Sequence, residues 1–311
     1  MTKHAVTDLA ASVHQRLRNL AARTDRPFDE LFQRYAMERF LHRLSRSPHA
    51  GRFVLKGALM LAVWDAPMSR PTMDIDLLGR MRNDVDSVLD VVRDVCVMMV
   101  EPDGMAFDPN SVRGVVIKED AEYSGVRATA RGNLGVSRVQ IQIDVGFGDV
   151  IVPCESEIVF PTLLDMPAPI LQGYSRESVV AEKFEAAVKL DLRNTRMRDI
   201  YDLGFLSRQF PFDAVSLSHA IRATFANRGT DLEANPTIFA GAFADNPAKA
   251  ALWRAFTARM RIPRDPGGLA GVIDAVATFL RPIMASLVEA RAFEADWPPG
   301  GPWRERKPAA K

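Results

Sequence analysis

The spacing of apolar positions divides the chain into three textures. From residue 5 to 47 the period is helical. Val13, Leu17 and Leu20 recur at three- and four-residue steps, then Phe28, Leu31, Phe32 and Tyr35, continuing through Phe40, Leu41 and Leu44. Asp25-Arg26-Pro27 separates two helices, with Thr24 or Asp25 able to cap and Pro27 suited to a first turn. After the break at Ser47-Pro48-His49-Ala50-Gly51, Phe53-Val54-Leu55 predicts a short strand. Lys56-Gly57 opens a helix from Leu59 to Trp64, Met73 to Leu78 is the next strand, and residues 84–99 return to helical spacing.

From 105 to 150 the texture is β, with short runs divided by glycines and polar turns. The last run alternates: Val139, Ile141, Ile143 and Val145 take one face, and Gln140, Gln142 and Asp144 the other. Prolines 153, 161, 167 and 169 punctuate a connector, and from Ser175 the chain is mainly helical. These textures predict an α+β architecture. N-terminal helices over 1–50 pack on the core, a mixed sheet flanked by helices occupies 51–160, a helical C-terminal domain covers 161–292, and 293–311 forms a mobile tail.

The candidate chemistry lies in Asp74-Ile75-Asp76. Residues two apart in a strand share a face, so the two carboxylates converge and repel unless a cation stands between them. A divalent metal fits, magnesium first and manganese as the alternative, together with a phosphate-bearing substrate. Asp144, at the polar end of its alternating strand, is the candidate third acid. Asp74 and Asp76 would hold the metal on a triphosphate, and Asp144 would complete a second metal, the arrangement used for in-line phosphoryl or nucleotidyl transfer. Lys56, Gly57 and Ala58 form the candidate phosphate turn, where glycine allows close backbone approach. Thr72 shares the face of Asp74 and, with Lys56, Gly57, Ala58, Lys183 and Asp202, is a candidate nucleotide-binding residue.

Two further positions stand out. Lys183 lies between Val179 and Ala187 at four-residue spacing, a cation in or beside an apolar stripe; it either snorkels to water or meets an anion such as a triphosphate. Asp199 and Asp202 share one helix face, and Arg198 is spaced to pair with Asp202. Either this is a structural ion pair, or Asp199 positions Lys183 or a nucleotide hydroxyl. The second helix carries Arg34, Arg39, His42, Arg43 and Arg46, read as a solvated face or as a surface for RNA phosphate.

Composition changes this picture little. Net charge is +1, so no global field marks a nucleic-acid partner. Cys96 and Cys154 suit reduced thiols. No signal-like segment opens the sequence and no apolar run approaches the roughly 20 residues of a membrane span, so a cytoplasmic protein with no membrane partner is expected. Walker, dinucleotide-binding, Gly-x-Ser-x-Gly and zinc-ligand patterns are absent.

Five blocks in this order carry a resemblance. They are Phe53-Val54-Leu55-Lys56-Gly57-Ala58, Arg70-x-Thr72-x-Asp74-Ile75-Asp76-Leu77, Gln142 to Asp149, Val180-Ala181-Glu182-Lys183-Phe184-Glu185-Ala186 and Arg196 to Leu203. Together they resemble the AbiEii/AbiGii toxin family of nucleotidyltransferases, the DNA polymerase β-like enzymes of bacterial type IV toxin–antitoxin and abortive-infection systems. The resemblance implies a polymerase β-type nucleotidyltransferase domain followed by a helical domain, with the active site between them. It implies Asp74 and Asp76 as metal ligands, Lys183 as a nucleotide-binding residue and Asp199 as a further essential acid. It also implies transfer from a nucleoside triphosphate (NTP) to RNA such as the tRNA 3′ end, blocking translation, and a cognate antitoxin. The family's frequent Gly-Gly or Gly-Ser turn reads Gly57-Ala58 here. Transfer to a protein or small-molecule hydroxyl, and a non-catalytic RNA- or antitoxin-binding protein on the same fold, are the competing readings.

Overall fold

Strands of the principal sheet follow from apolar or alternating runs, and Asp8, Asp84, Ser175, Asp213 and Asn246 each cap a helix through the side chain. The computed structural model describes residues 8–64, 72–118, 124–260, 262 and 267–306; Arg70 lies outside them. The chain forms two units, one from residues up to 148 together with 156–173, the other from 149–155 and from 174 onward.

In the first unit, helices α1 (Leu9–Thr24) and α2 (Phe28–Arg46) precede strand β1 (Phe53–Lys56), the short helix α3 (Leu59–Val63), strand β2 (Asp74–Gly79) and helix α4 (Val85–Cys96). Strands β3 (Met105–Lys118), β4 (Ser124–Leu134), β5 (Ser137–Phe147), β6 (Ser156–Val159) and β7 (Ile170–Gly173) follow. Asp8 caps α1 and Asp84 caps α4, each accepting a backbone N–H in the first turn. Asp25 does not cap α2. It ends α1 in the left-handed conformation, which aspartate tolerates, and Pro27 takes the N-cap position of α2 itself.

The seven strands run in the order β3-β4-β5-β2-β1-β7-β6. The β2–β5 and β1–β7 pairs are parallel and the other pairs antiparallel. On β2 and β5, Ile75 pairs with Ile143 and Leu77 with Val145, all buried. Helix α2 packs against β5, β7 and α4. Its Gln33 amide donates to the carbonyls of both Met73 and Gln140, tying the entrances of β2 and β5 together.

The basic residues of α2 are largely inside, contrary to both expectations for them. Arg43 makes a fork onto Asp103, at 2.6 and 3.1 Å, and also donates to the Met105 carbonyl. His42 is buried beside Glu101. Arg39, with no exposed surface, pairs with Glu38 at 2.7 Å and donates to the Pro167 carbonyl. Glu38 also accepts the Leu163 N–H. A buried charge persists only with such partners. These contacts and the β1–β7 ladder place residues 161–173 in the sheet unit rather than in the helical domain.

The second unit contains α5 (Arg176–Leu190), α6 (Met197–Gln209), β8 (Phe212–Asp213), α7 (Ala214–Asn227), α8 (Gly241–Ala244), α9 (Pro247–Arg259) and α10 (Gly268–Val288). It closes with β9 (Ala295–Trp297) and β10 (Arg304–Glu305), and β10-β9-β8 form a small sheet. Helix α10 is long and apolar enough to cross a membrane by length and composition, although no unbroken apolar run is visible in the sequence. Asp274 and Arg281 break the run, and Val272, Val276, Phe279, Leu280 and Ile283 are buried in this unit.

The expected mobile tail is anchored as far as residue 306. Trp297 Nε1 donates to the Ser207 carbonyl at 2.7 Å, and Trp303 Nε1 to that of Phe279 at 2.8 Å. A buried Trp297 and a half-buried Trp303, packed on each other and with their N–H groups satisfied, outweigh the loop-like Pro-Pro-Gly-Gly between them.

Burial raises the Glu38 carboxyl to about 7, against the opposing pull of Arg39 and the Leu163 N–H. Its folded value exceeds its unfolded one, so its contribution to stability is full below about 4.5 and is lost as pH rises through about 7. Urea unfolding of wild type and Glu38→Gln at pH 5 and 8 should therefore differ in pH dependence, with wild type losing on the order of 3 kcal/mol more than the variant. Parallel pH profiles would contradict this.

Candidate active site

The parallel register of β2 and β5 builds the site. Asp76 stands directly opposite Asp144, and Asp74 opposite Gln142. With Ile75, Leu77, Ile143 and Val145 committed to the buried face, all three acids are left on the other. Their ligand oxygens lie within 4.8 Å of one another and all three residues are half-buried. An all-carboxylate donor set at this spacing fits a hard divalent cation such as magnesium or manganese. Thr72 Oγ1 donates to Asp74 Oδ1 at 2.6 Å, confirming that the two share a face.

The neighbouring strand adds a residue that the sequence did not single out. Arg127 on β4 pairs in register with Asp144. Its Nε donates to Asp144 Oδ1 at 2.8 Å and its Nη2 to Oδ2 at 2.7 Å. Gln142 Nε2 donates to Oδ2 as well, at 3.2 Å. These bonds to Asp144 hold the guanidinium pKa above its ordinary value, and the charges of Asp74 and Asp76 add to the effect. The available signal is an arginine alternating with Val126, Ala128 and Ala130 along a strand.

Lys56 is buried and pairs with Asp76 across the β1–β2 ladder. Gly57 follows with φ +71°, and a Cβ there would lie 2.1 Å from Asp76 Oδ2. Glycine is required at this point by a carboxylate of the site itself. Ala58 leads into α3 at its N-cap position, and that helix has only five residues.

In the second unit, Ser175 caps α5, accepting the Ser178 N–H. Lys183 on α5 is held between two carboxylates of α6: Nζ lies 2.7 Å from Asp199 Oδ1 and 3.0 Å from Asp202 Oδ2. Asp202 is fully buried and Lys183 largely so. The lysine therefore meets anions rather than snorkelling. Asp202 bonds to it instead of forming the expected pair with Arg198, which is exposed. The i, i+3 spacing on α6 is what lets both acids reach one ammonium. Nearby, Arg228 joins Asp149 at 2.7 Å, Glu185 at 2.9 Å and Glu182 at 3.6 Å. Desolvation opposes its charge, but Glu182 and Asp149 hold its pKa above the ordinary arginine value.

Gly57→Ala tests the close approach. Gly148 also has positive φ, but a Cβ there meets nothing within 4 Å, so Gly148→Ala carries the backbone strain alone. That strain is about 1–2 kcal/mol. Gly57→Ala should lower the melting temperature further than Gly148→Ala and weaken Mn²⁺ binding about tenfold or more, because Asp76 must move. Equal behaviour of the two variants would refute it.

Residues 39–281 match the AbiEii family, described as nucleotidyl transferase AbiEii toxin of type IV toxin–antitoxin systems. A comparison with curated proteins gives no match. Among solved structures, a candidate nucleotidyltransferase from H. pylori is similar at 14% identity and a TM-score of 0.46, over 84% of this chain and 97% of that one. JHP933 from Helicobacter pylori is similar at 14% identity and a TM-score of 0.48, over 84% of this chain and 94% of that one. The family match runs through both acidic strands and through the helices of Lys183 and Asp199, and the chain belongs to the AbiEii nucleotidyl transferase toxins of type IV toxin–antitoxin systems.

Proposed function

We propose that this chain moves a nucleoside monophosphate from an NTP to an RNA acceptor, the tRNA 3′ end, and so blocks translation in the cytoplasm until a cognate antitoxin opposes it. The observation that carries the reading is the convergence of Asp74, Asp76 and Asp144 on one face of adjoining strands. Asp74, Asp76 and Asp144 would hold a magnesium or manganese ion there, which would neutralise charge on the triphosphate and acidify the attacking hydroxyl. The hydroxyl oxygen bonds to the α-phosphorus, the bond to the bridging oxygen breaks, and pyrophosphate leaves. The hydroxyl proton passes to a carboxylate of the triad. Lys56, the Gly57-Ala58 turn and Thr72 are the proposed phosphate contacts of the first unit. Lys183 is the proposed triphosphate cation of the second, positioned by Asp199 and Asp202.

The test is incubation of the protein with magnesium, each labelled NTP in turn, and total tRNA. Label should enter tRNA with one or more NTPs, and Asp74→Ala should abolish it while the far-UV spectrum is unchanged. Label in protein or in a small molecule would redirect the acceptor, and none in any fraction would sink the transferase reading. Asp199→Asn leaves Lys183 with Asp202 alone. It should lower kcat/KM about 10–100-fold with little change in melting temperature. A large loss of stability with kcat/KM intact would make the contact purely structural.

A further inference from the structure

We propose that the outward face of β4 and β5 is the surface on which the RNA acceptor strand lies, its phosphates held by Arg131 and Arg138 while its end reaches the acids. The proposal rests on the transferase reading above and adds where the acceptor is gripped. The β4–β5 ladder carries one face away from Asp144: Arg127 stands opposite Asp144, Arg131 opposite Gln140 and Asn133 opposite Arg138. Residues an even number apart in a strand share a face, so Arg131 and Arg138 lie on the side of the acids. Gly132 marks the other side, where a Cβ would meet Met105, Phe107 and Val139. Along β5, Gln140 is four residues from Asp144 and Arg138 six, roughly 13 and 20 Å of strand. Arg131 and Arg138 are diagonal neighbours, about 7–8 Å apart at the backbone, so one strand can meet both.

Charge complementarity names the occupant. Arg131 and Arg138 are exposed, and among the described residues neither side chain has an ion pair or hydrogen bond. Arg127 differs, because its fork is taken by Asp144. Asp108 on β3 stands opposite Arg131 but forms no ion pair with it; its Oδ1 accepts the Asn110 N–H within the strand's irregularity. Arg113 on β3, opposite Thr129, adds a third exposed cation, steadied by the carbonyls of Asn110 and Val112. The whole chain carries a net charge of only +1, so this excess belongs to one face, and beside a site for nucleotidyl transfer it suits a phosphodiester chain. The outward positions of β4 from Arg127 to Asn133, and of β5 from Arg138 to Asp144, are arginine, threonine, asparagine, glutamine and aspartate, with no aromatic ring. Bases find no stacking surface there, so the grip is on the backbone and tolerates any sequence.

The test is fluorescence anisotropy of a labelled single-stranded RNA of about 12 nucleotides, titrated with the full chain over a salt series. Arg131→Gln/Arg138→Gln should raise Kd about tenfold near 0.1 M salt and lower the salt slope by about 1.4, the value for two single-strand phosphates. Arg131→Lys/Arg138→Lys should stay within about threefold of wild type, because a phosphate accepts lysine as a point charge. Arg222→Gln/Arg254→Gln removes two exposed charges from the second unit and should change Kd less than about twofold. Equal losses in the two glutamine doubles would overturn the surface and leave only a general effect of charge. An unchanged Kd in Arg131→Gln/Arg138→Gln would place the RNA elsewhere and leave the transferase reading standing. Equal affinity of wild type for a polyglutamate peptide of the same charge would overturn the RNA assignment in favour of an acidic protein. RNA binding that depends on Arg131 and Arg138, with no label entering tRNA, would uphold the surface while sinking the transferase reading.

Discussion

The pairing of β2 with β5 is the constraint on which the rest of the first unit depends. In a parallel ladder with a period of two, a shift of one residue would send three carboxylates into the apolar interior and bring isoleucines and valines out. The burial of Ile75, Leu77, Ile143 and Val145 therefore selects the register that gathers Asp74, Asp76 and Asp144. Repulsion among the acids works against that register, and hydrophobic burial wins because it acts along the whole ladder. Gln33 reinforces it from α2 by bonding to both strands at once.

Positive charge is placed with equal care. Arg127 faces Asp144, Lys183 sits between Asp199 and Asp202, and Arg228 among Asp149, Glu182 and Glu185. Arg43 on Asp103 has the same logic without the chemistry: it ties α2 to the start of β3. Net stabilisation from such buried pairs is small, while removal of one partner is costly, which makes them devices of position more than of strength. The contrast separates scaffolding ion pairs from those in which a cation stands beside convergent acids.

Much of this could be read in the sequence wherever the signal was local. Asp-x-Asp in an apolar strand, the alternation leading to Asp144, the cation on the stripe of α5 and the i, i+3 acids of α6 each announce themselves within a few residues. What escaped was set by distant partners. Arg39 and Arg43 looked like surface charge because Pro167 and Asp103 are far away in the chain. Arg127 needed the β4–β5 register before its target could be named. Gly57 reads in the sequence as a phosphate turn, and the constraint nearest to it in the fold is Asp76. The end of the chain read as loop because Pro and Gly are local signals, whereas tryptophan packing is not.

That last segment also changes how α10 should be understood. Trp303 stacks on Phe279 and Trp297 lies against the same ring, so a helix with the composition of a bilayer span is kept under an aromatic seal. Proteolytic nicking upstream of residue 293 would do more than shorten the protein. It would strip the aromatic cover from Phe279 at the middle of α10, while α6, α7 and α9 still pack against that helix.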